Sequence, residues 1–183
     1  MQSSELRKFI RRWLNGPKPI VGLVIVTGVI AAAILAPLIT SYSPIKADFA
    51  IVRSAPSVEH WFGTDNLGRD VFSRVVYGGR VSLVAGLIPV LIAATIGGLC
   101  GLAAGYSGGW IEQFFMRVTD ALMAFPPLVL ALAIVYALGP DLKNALIAIG
   151  ITMIPEYIRV VRGQVLSLKK KEFVVAAYSI GIG

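Results

Sequence analysis

Two stretches of this sequence carry no charged side chain over the length of a membrane span: residues 20–39 and residues 81–106. A helix rises about 1.5 Å per residue, so roughly 20 apolar residues cross a hydrocarbon core about 30 Å thick. The 183 residues are 56% hydrophobic and 15% charged, with a mean hydropathy of +0.77, which leaves too little polar surface to cover a soluble core. The sequence therefore predicts an all-α, polytopic bundle of transmembrane helices.

Two less uniform apolar stretches, 118–140 and 142–161, bring the predicted number of spans to about four. The first contains Pro126 and Pro127, and we expect this pair to kink or break the helix because proline removes a backbone donor. The second is interrupted by charges beside Pro155, and we expect it to end at the inner surface near residue 161.

Basic residues at both ends of the chain orient the predicted spans. Residues 1–19 hold five Lys or Arg against one acid, which favours a cytoplasmic N-terminus. Alternation then places residues 40–80 outside, and residues 107–117 and 162–183 inside. A cleaved signal peptide ending near the alanines at 31–33 is the alternative, but the apolar run continues well past them.

Few charges fall within the predicted spans: Lys143 can extend outward to the membrane surface, and the others have a candidate partner nearby. Asp120 is better explained as a partner of Arg117, one turn earlier, than as a proton-relay carboxylate. Glu156 and Arg159 share a helix face at i, i+3 and are expected to offset each other.

The longest polar region contains a candidate external site in residues 60–80, HWFGTDNLGRDVFSRVVYGGR. Asp65, Arg69, Asp70 and Arg74 alternate in sign, which predicts a self-neutralised local network rather than an acid–base site. We expect a helix to begin at Asp70 and to lead toward the membrane.

Several function classes are excluded by composition. His60 is the only histidine and Cys100 the only cysteine, so we expect neither a metal site nor a disulfide within the chain. The net charge of +7 is explained by membrane orientation rather than by nucleic-acid binding, because the basic residues flank apolar runs. No catalytic residue and no cofactor are predicted.

A glycine repeat predicts tight helix packing in the second span. Gly97, Gly101 and Gly105 recur every fourth residue, which places them on one helix face and lets a neighbouring backbone approach closely.

The last fifteen residues, KKKEFVVAAYSIGIG, predict a short helix with a small apolar face. Phe173, Ala176, Ala177 and Ile180 recur at helical spacing, and Gly181 is placed to end the helix in a left-handed conformation. Such a helix beside a span suits docking into a groove of another protein, and an ordinary surface helix is the simpler alternative.

Residues 60–83 and 169–183 together resemble the permease subunits of ATP-binding-cassette importers, in the C-type permeases of the dipeptide, oligopeptide and nickel class. The second stretch is similar to the family's cytoplasmic docking motif, Glu-Ala-Ala followed by three residues and Gly. Ala176, Ala177 and Gly181 match that motif, whereas Val175 occupies the glutamate position and the nearby acid is Glu172.

This resemblance implies a six-span fold in the inner membrane, of which about four spans are present here in a C-terminally truncated chain. It implies a second permease subunit, two cytoplasmic ATPase subunits and an external substrate-binding protein as partners, with lipid around the spans. The ATPase-docking residues would be Glu172, Phe173, Ala176, Ala177 and Gly181. The residues of the external mouth would be Trp61, Gly63, Thr64, Asp65, Gly68, Arg69 and Asp70.

The leading hypothesis is therefore a permease subunit that imports di- or oligopeptides and hydrolyses no ATP itself, since no phosphate-binding glycine loop with lysine is present. An ion-coupled carrier is the first alternative, although Asp120 and Glu156 lie near span ends rather than centrally. A membrane-anchored interaction protein without transport is the second.

Overall fold

The structure is a computed structural model that describes residues 16–181. It contains three helices that are long and apolar enough to cross a membrane, or four if a bent helix pair counts as one span. No β-strand occurs within this range, where the extended segments form only an isolated bridge between Thr64 and Asp70. The predicted all-α membrane bundle is confirmed. The chain divides into two compact units, Met1–Val84 and Ala85–Gly183.

In the described part of the first unit, helix α1 is Pro17–Ile34, which starts on a proline that has the backbone angle a first turn needs. Leu35 ends it, and a short helix α2, Ala36–Ile39, follows. A single 3₁₀ turn, Phe49–Ile51, is capped by Asp48, whose Oδ1 accepts the N–H of Ala50 at 3.1 Å. Most large apolar side chains of α1 are exposed, as expected of a helix that faces lipid.

Helix α3, Val71–Ile92, starts ten residues before the predicted span, so the end of the polar region 40–80 is helical. It runs directly into a π-helical segment, Ala93–Gly97, and then into α4, Gly98–Ser107. Together they make one apolar helix of 37 residues. A π segment inserts an extra residue into the helical turn and reorients the side chains that follow it.

Helix α5, Gly109–Met123, and helix α6, Pro127–Leu138, meet at a bend of 90°. The predicted break at the proline pair is confirmed, because Pro126 is extended and Pro127 opens α6. Residues 107–117, which we predicted to lie on the inner side between two spans, contain the first turns of α5.

Helix α7, Leu142–Lys169, is capped by Asp141, whose Oδ1 accepts the N–H of Leu142 at 2.8 Å. It does not end near residue 161 as expected, but continues to Lys169 with Pro155 inside it. Helix α8, Glu172–Ser179, follows after a two-residue break. A 28-residue helix is about 42 Å long, so α7 extends beyond the thickness of a hydrocarbon core.

Candidate functional site

The glycine repeat on the long apolar helix lies directly against α7. A Cβ atom added to Gly97 would lie 2.7 Å from Cβ of Tyr157, and one added to Gly105 would lie 2.8 Å from Cβ of Val165. These distances are shorter than real Cβ contacts, so only glycine permits the present separation of the two helices. The helices are thus held close enough for backbone to touch backbone.

Residues 48–74 form a polar segment, which we call the external segment after its predicted side of the membrane, and Asp65 is its central carboxylate. Its Oδ2 accepts the Nε–H of Arg69 at 2.8 Å and also pairs with Arg74, while its Oδ1 accepts the backbone N–H groups of Leu67 and Arg69 at 2.8 and 3.0 Å. Three of the four residues of the predicted network therefore meet, and Asp65 neutralises Arg69 and Arg74 within the segment.

These contacts change the acidity of Asp65. Burial by itself would raise the pKa of this carboxyl, but the hydrogen bond from the Arg69 side chain and those from the backbone hold its pKa well below the ordinary value. The carboxylate stays ionised at any physiological pH and serves as a structural anchor.

Asp70 belongs to a different contact from the one expected. Its Oδ1 lies 2.9 Å from Nδ1 of His60, and its Oδ2 accepts the backbone N–H of Ser73 at 2.7 Å, which caps the first turn of α3. Burial would raise the pKa of Asp70, but the hydrogen bonds from Ser73 and His60 lower it. Asp70 and His60 are 4% and 9% exposed, so this pair is almost closed to solvent. The sequence pattern missed the pair because the histidine lies ten residues upstream.

Two glycines and a threonine hold the loop of the external segment. Gly63 and Gly68 have φ angles of +70° and +69°, and a Cβ atom on either would overlap the backbone of Ser54 or Asp48. Buried Thr64 accepts the N–H of Ser54 at 2.9 Å and donates to the carbonyl of Ile51. These three residues fix the path of the loop through backbone contacts, and none of them takes part in an acid–base pair.

An aromatic cluster lies beside this loop. The ring of Phe72 is 4.9 Å from that of Trp61 and 5.4 Å from that of Phe62, with the second pair edge to face. Trp61 and Phe62 are nonetheless exposed, at 62% and 56%. They present an apolar surface at the edge of a polar segment.

Two ion pairs join α5 to α7, and they replace the pairs that we expected within single helices. Asp120 pairs with Arg159 at 2.6 Å rather than with Arg117, so Arg159 is not the partner of Glu156. Glu112 accepts from Nε of Arg162 at 2.7 Å and also from its Nη2. The separations of 39 and 50 residues leave no periodic signal in the sequence by which these pairs were predictable.

Helix α8 exposes most of its surface. Phe173, Val175 and Ile180 are 66%, 52% and 74% exposed, and Ala176 is exposed as well, while Ala177 is half-buried. Gly181 has a φ angle of +81°, which confirms the expected left-handed end of the helix. Glu172 lies in the first turn, where a negative charge favours the helix dipole.

No group of three or more potential metal ligands occurs among residues 16–181.

The chain matches two family descriptions that follow one another along the sequence. Residues 4–56 match the N-terminal transmembrane domain of oligopeptide transport permease C, and residues 97–183 match the binding-protein-dependent transport system inner membrane component. The chain belongs to this permease family.

Relatives in the family match nearly all of this chain. It is 49% identical to the dipeptide transport system permease protein DppC of Alkalihalophilus pseudofirmus over 98% of this chain and 59% of that protein. It is 41% identical to the probable D,D-dipeptide transport system permease protein DdpC of Escherichia coli over 91% of this chain and 56% of the relative. It is 39% identical to the glutathione transport system permease protein GsiD of Pectobacterium atrosepticum over 96% of this chain and 58% of the relative. The chain thus spans somewhat under three-fifths of the length of these relatives.

As a member of the family, the chain belongs to a multi-pass protein of the inner membrane. Its relatives are named as permease proteins of transport systems.

Proposed function

We propose that this chain is the membrane-spanning permease subunit of an ATP-driven, binding-protein-dependent importer of di- or oligopeptides. The relatives named for dipeptide, D,D-dipeptide and glutathione transport all act on peptides, which supports a peptide substrate. Partner ATPases supply the energy, because the sequence has no glycine loop with lysine to hold a nucleotide phosphate.

The observation that carries this proposal is the exposure of α8. The eight-residue helix α8 lies two residues beyond a membrane-spanning helix and exposes Phe173 and Val175, and Ile180 is exposed directly after it. Apolar side chains on a short cytoplasmic helix are stabilised by burial in a groove of another protein. We assign Glu172, Phe173, Ala176, Ala177 and Gly181 to this ATPase-docking surface.

The external segment serves at the opposite side of the membrane. Its self-neutralised charges, its glycine turns and its buried His60–Asp70 pair make a rigid surface without chemistry of its own. The exposed aromatic pair, Trp61 and Phe62, adds an apolar edge. This segment forms the external mouth, where a substrate-binding protein delivers peptide to the pathway between this chain and a second permease subunit.

Docking is tested in the assembled transporter with three substitutions in or next to α8. Ala177→Trp enlarges the docking face, and overpacking a tight contact costs about 1 to 3 kcal/mol, which weakens association several-fold or more. Gly181→Val forces a β-branched residue to a φ angle of +81° and misdirects the chain. Exposed Lys170→Ala is the matched control, and we expect it to retain ATPase pull-down and peptide uptake. Equal behaviour of all three variants would show that α8 is an ordinary surface helix and not a docking surface.

Orientation is tested by labelling from either side of the membrane. With the N-terminus in the cytoplasm, residues 40–80 lie outside, and Ser57→Cys in a Cys100→Ala background should react with an impermeant thiol reagent in intact cells. Labelling of this cysteine only after the cytoplasmic side is opened would refute the proposed topology.

A further inference from the structure

Three basic residues of α7 reach the α4–α5 region: Arg159, Arg162 and Lys169. Arg159 and Arg162 pair with Asp120 and Glu112 of α5, and the Nζ of Lys169 donates to the carbonyl of Tyr106 near the end of α4. The order of the partners is reversed between the two helices: Glu112 comes before Asp120 on α5, whereas its partner Arg162 comes after Arg159 on α7. Two ion pairs at separate points resist both sliding and rotation of one helix along the other.

We propose that the Glu112–Arg162 and Asp120–Arg159 pairs form a clamp that makes α5 move together with α7, so that a displacement of α8 reaches the bent α5–α6 pair. This inference rests on the proposed function, in which an ATPase moves α8. Glu112 and Arg162 are positioning residues here, since they act through the helices that they join.

The Glu112–Arg162 pair is the stronger point of the clamp. Both of its side chains are partly shielded, at 24% and 31% exposed, and two guanidinium nitrogens donate to one carboxylate oxygen. Asp120 and Arg159 are 64% and 48% exposed, and a pair so open to water holds less tightly. Removing the first pair should therefore loosen the clamp more than removing the second.

The continuity of α7 lets the clamp transmit motion. One unbroken helix, Leu142–Lys169, carries the clamp residues and ends two residues before α8. The same part of α7 also packs closely against α4. A Cβ on Gly101 would meet Val161 at 2.9 Å, and one on Gly105 would meet the carbonyl of Arg162 at 3.2 Å. A segment packed this tightly moves as a rigid body rather than bending.

The first experiment measures the clamp without any partner. Spin labels at exposed Gln113 on α5 and Val160 on α7, in a Cys100→Ala background, report the distance between the helices in the reconstituted chain. We expect a narrow distance distribution in the otherwise unmodified chain and a broad one in Glu112→Gln. The reversed pair, Glu112→Arg with Arg162→Glu, should restore the narrow distribution. A distribution that stays narrow in Glu112→Gln would overturn the clamp.

The second experiment measures coupling in the assembled transporter. Glu112→Gln and Arg162→Gln should keep ATPase pull-down and basal ATP hydrolysis, while peptide uptake per ATP hydrolysed falls about five-fold or more. The reversed pair should recover most of that ratio. Glu156→Gln is the matched control, since Glu156 is exposed on α7 and makes no ion pair among residues 16–181.

The results separate failure of the clamp from failure of the proposed function. An unmodified chain that neither binds an ATPase nor supports uptake would reject the proposed function, and the spin-label distances would then decide whether the clamp exists. Unchanged coupling in Glu112→Gln would reject the clamp alone. Loss of ATPase binding in that variant, without rescue by the reversed pair, would mean that the contact is needed only for folding.

Discussion

A Cβ atom on Gly101 would lie 2.7 Å from the carbonyl oxygen of Ile158, so the backbones of α4 and α7 touch at this glycine. We expect Gly101→Val to force the helices apart and to lower the free energy of unfolding by about 1 to 3 kcal/mol. Thermal unfolding in detergent measures this effect. Gly98→Ala is the control, because nothing lies within 4 Å of a Cβ at that position. Equal unfolding temperatures in the two variants would contradict this close packing of α4 against α7.

The acid stability of the external segment should depend on Asp65. The pKa of this carboxyl is lower in the folded state, so its stabilising effect is fully present above the unfolded pKa of about 3.9 and is lost as pH falls toward the folded value. Asp65→Asn should therefore lower the stability of the external segment at neutral pH. On acidification the variant should lose less stability than the parent protein does. Fluorescence of Trp61, with Trp13 and Trp110 replaced by Phe, follows the transition.

The control for that prediction is Glu59→Gln, which alters an exposed carboxyl without an ion-pair partner in the described part of the chain. It should leave the acid transition of the parent protein unchanged. If Asp65→Asn and the parent lost stability over the same pH range and by the same amount, the ion pairs of Asp65 would contribute nothing to the acid stability of the external segment.

Asp70 has two separable roles, and two substitutions distinguish them. Asp70→Asn keeps a side chain able to cap α3 but removes the charge opposite His60, whereas Asp70→Ala removes both contacts. We expect Ala to cost about 1 to 3 kcal/mol and Asn clearly less, because a buried polar group left without a partner carries its full desolvation cost. Amide hydrogen exchange at Ser73 measures the cap. Identical exchange in both variants would show that the side chain of residue 70 does not cap the helix.

Arg80 ties α3 to the end of α1 by donating from Nε to the carbonyl of Ala33 at 2.5 Å and from Nη2 to that of Ile34 at 2.7 Å. A Cβ on Gly79 would lie 3.6 Å from that of Ala33, which is within the range for a disulfide. In a Cys100→Ala background, Ala33→Cys with Gly79→Cys should cross-link rapidly on oxidation, and Arg80→Gln should slow the reaction. The control pairs Ala33→Cys with Gly78→Cys, since nothing lies within 4 Å of a Cβ at Gly78. Equal rates for both cysteine pairs would contradict the contact between α1 and α3.

The apolar spans, the break at Pro126 and Pro127, and the left-handed Gly181 were all predictable from the sequence. Each depends on local rules: an uncharged run long enough for a bilayer, a ring that removes a backbone donor, and a residue without Cβ at a helix end. The spacing of Gly97, Gly101 and Gly105 likewise placed them on one helix face. It did not identify α7 as the helix that packs against them.

The tertiary structure determined which charged residues pair with each other. Asp120 has a basic neighbour in Arg117 at helical spacing, yet it pairs with Arg159 because packing of α5 against α7 brings that guanidinium within 2.6 Å. Asp70 likewise takes His60 rather than an arginine, because the loop turns at Gly63 and Gly68 bring the histidine back to the start of α3. Periodicity reports only which residues share a face of their own helix, and the partner across a contact depends on how separate elements pack.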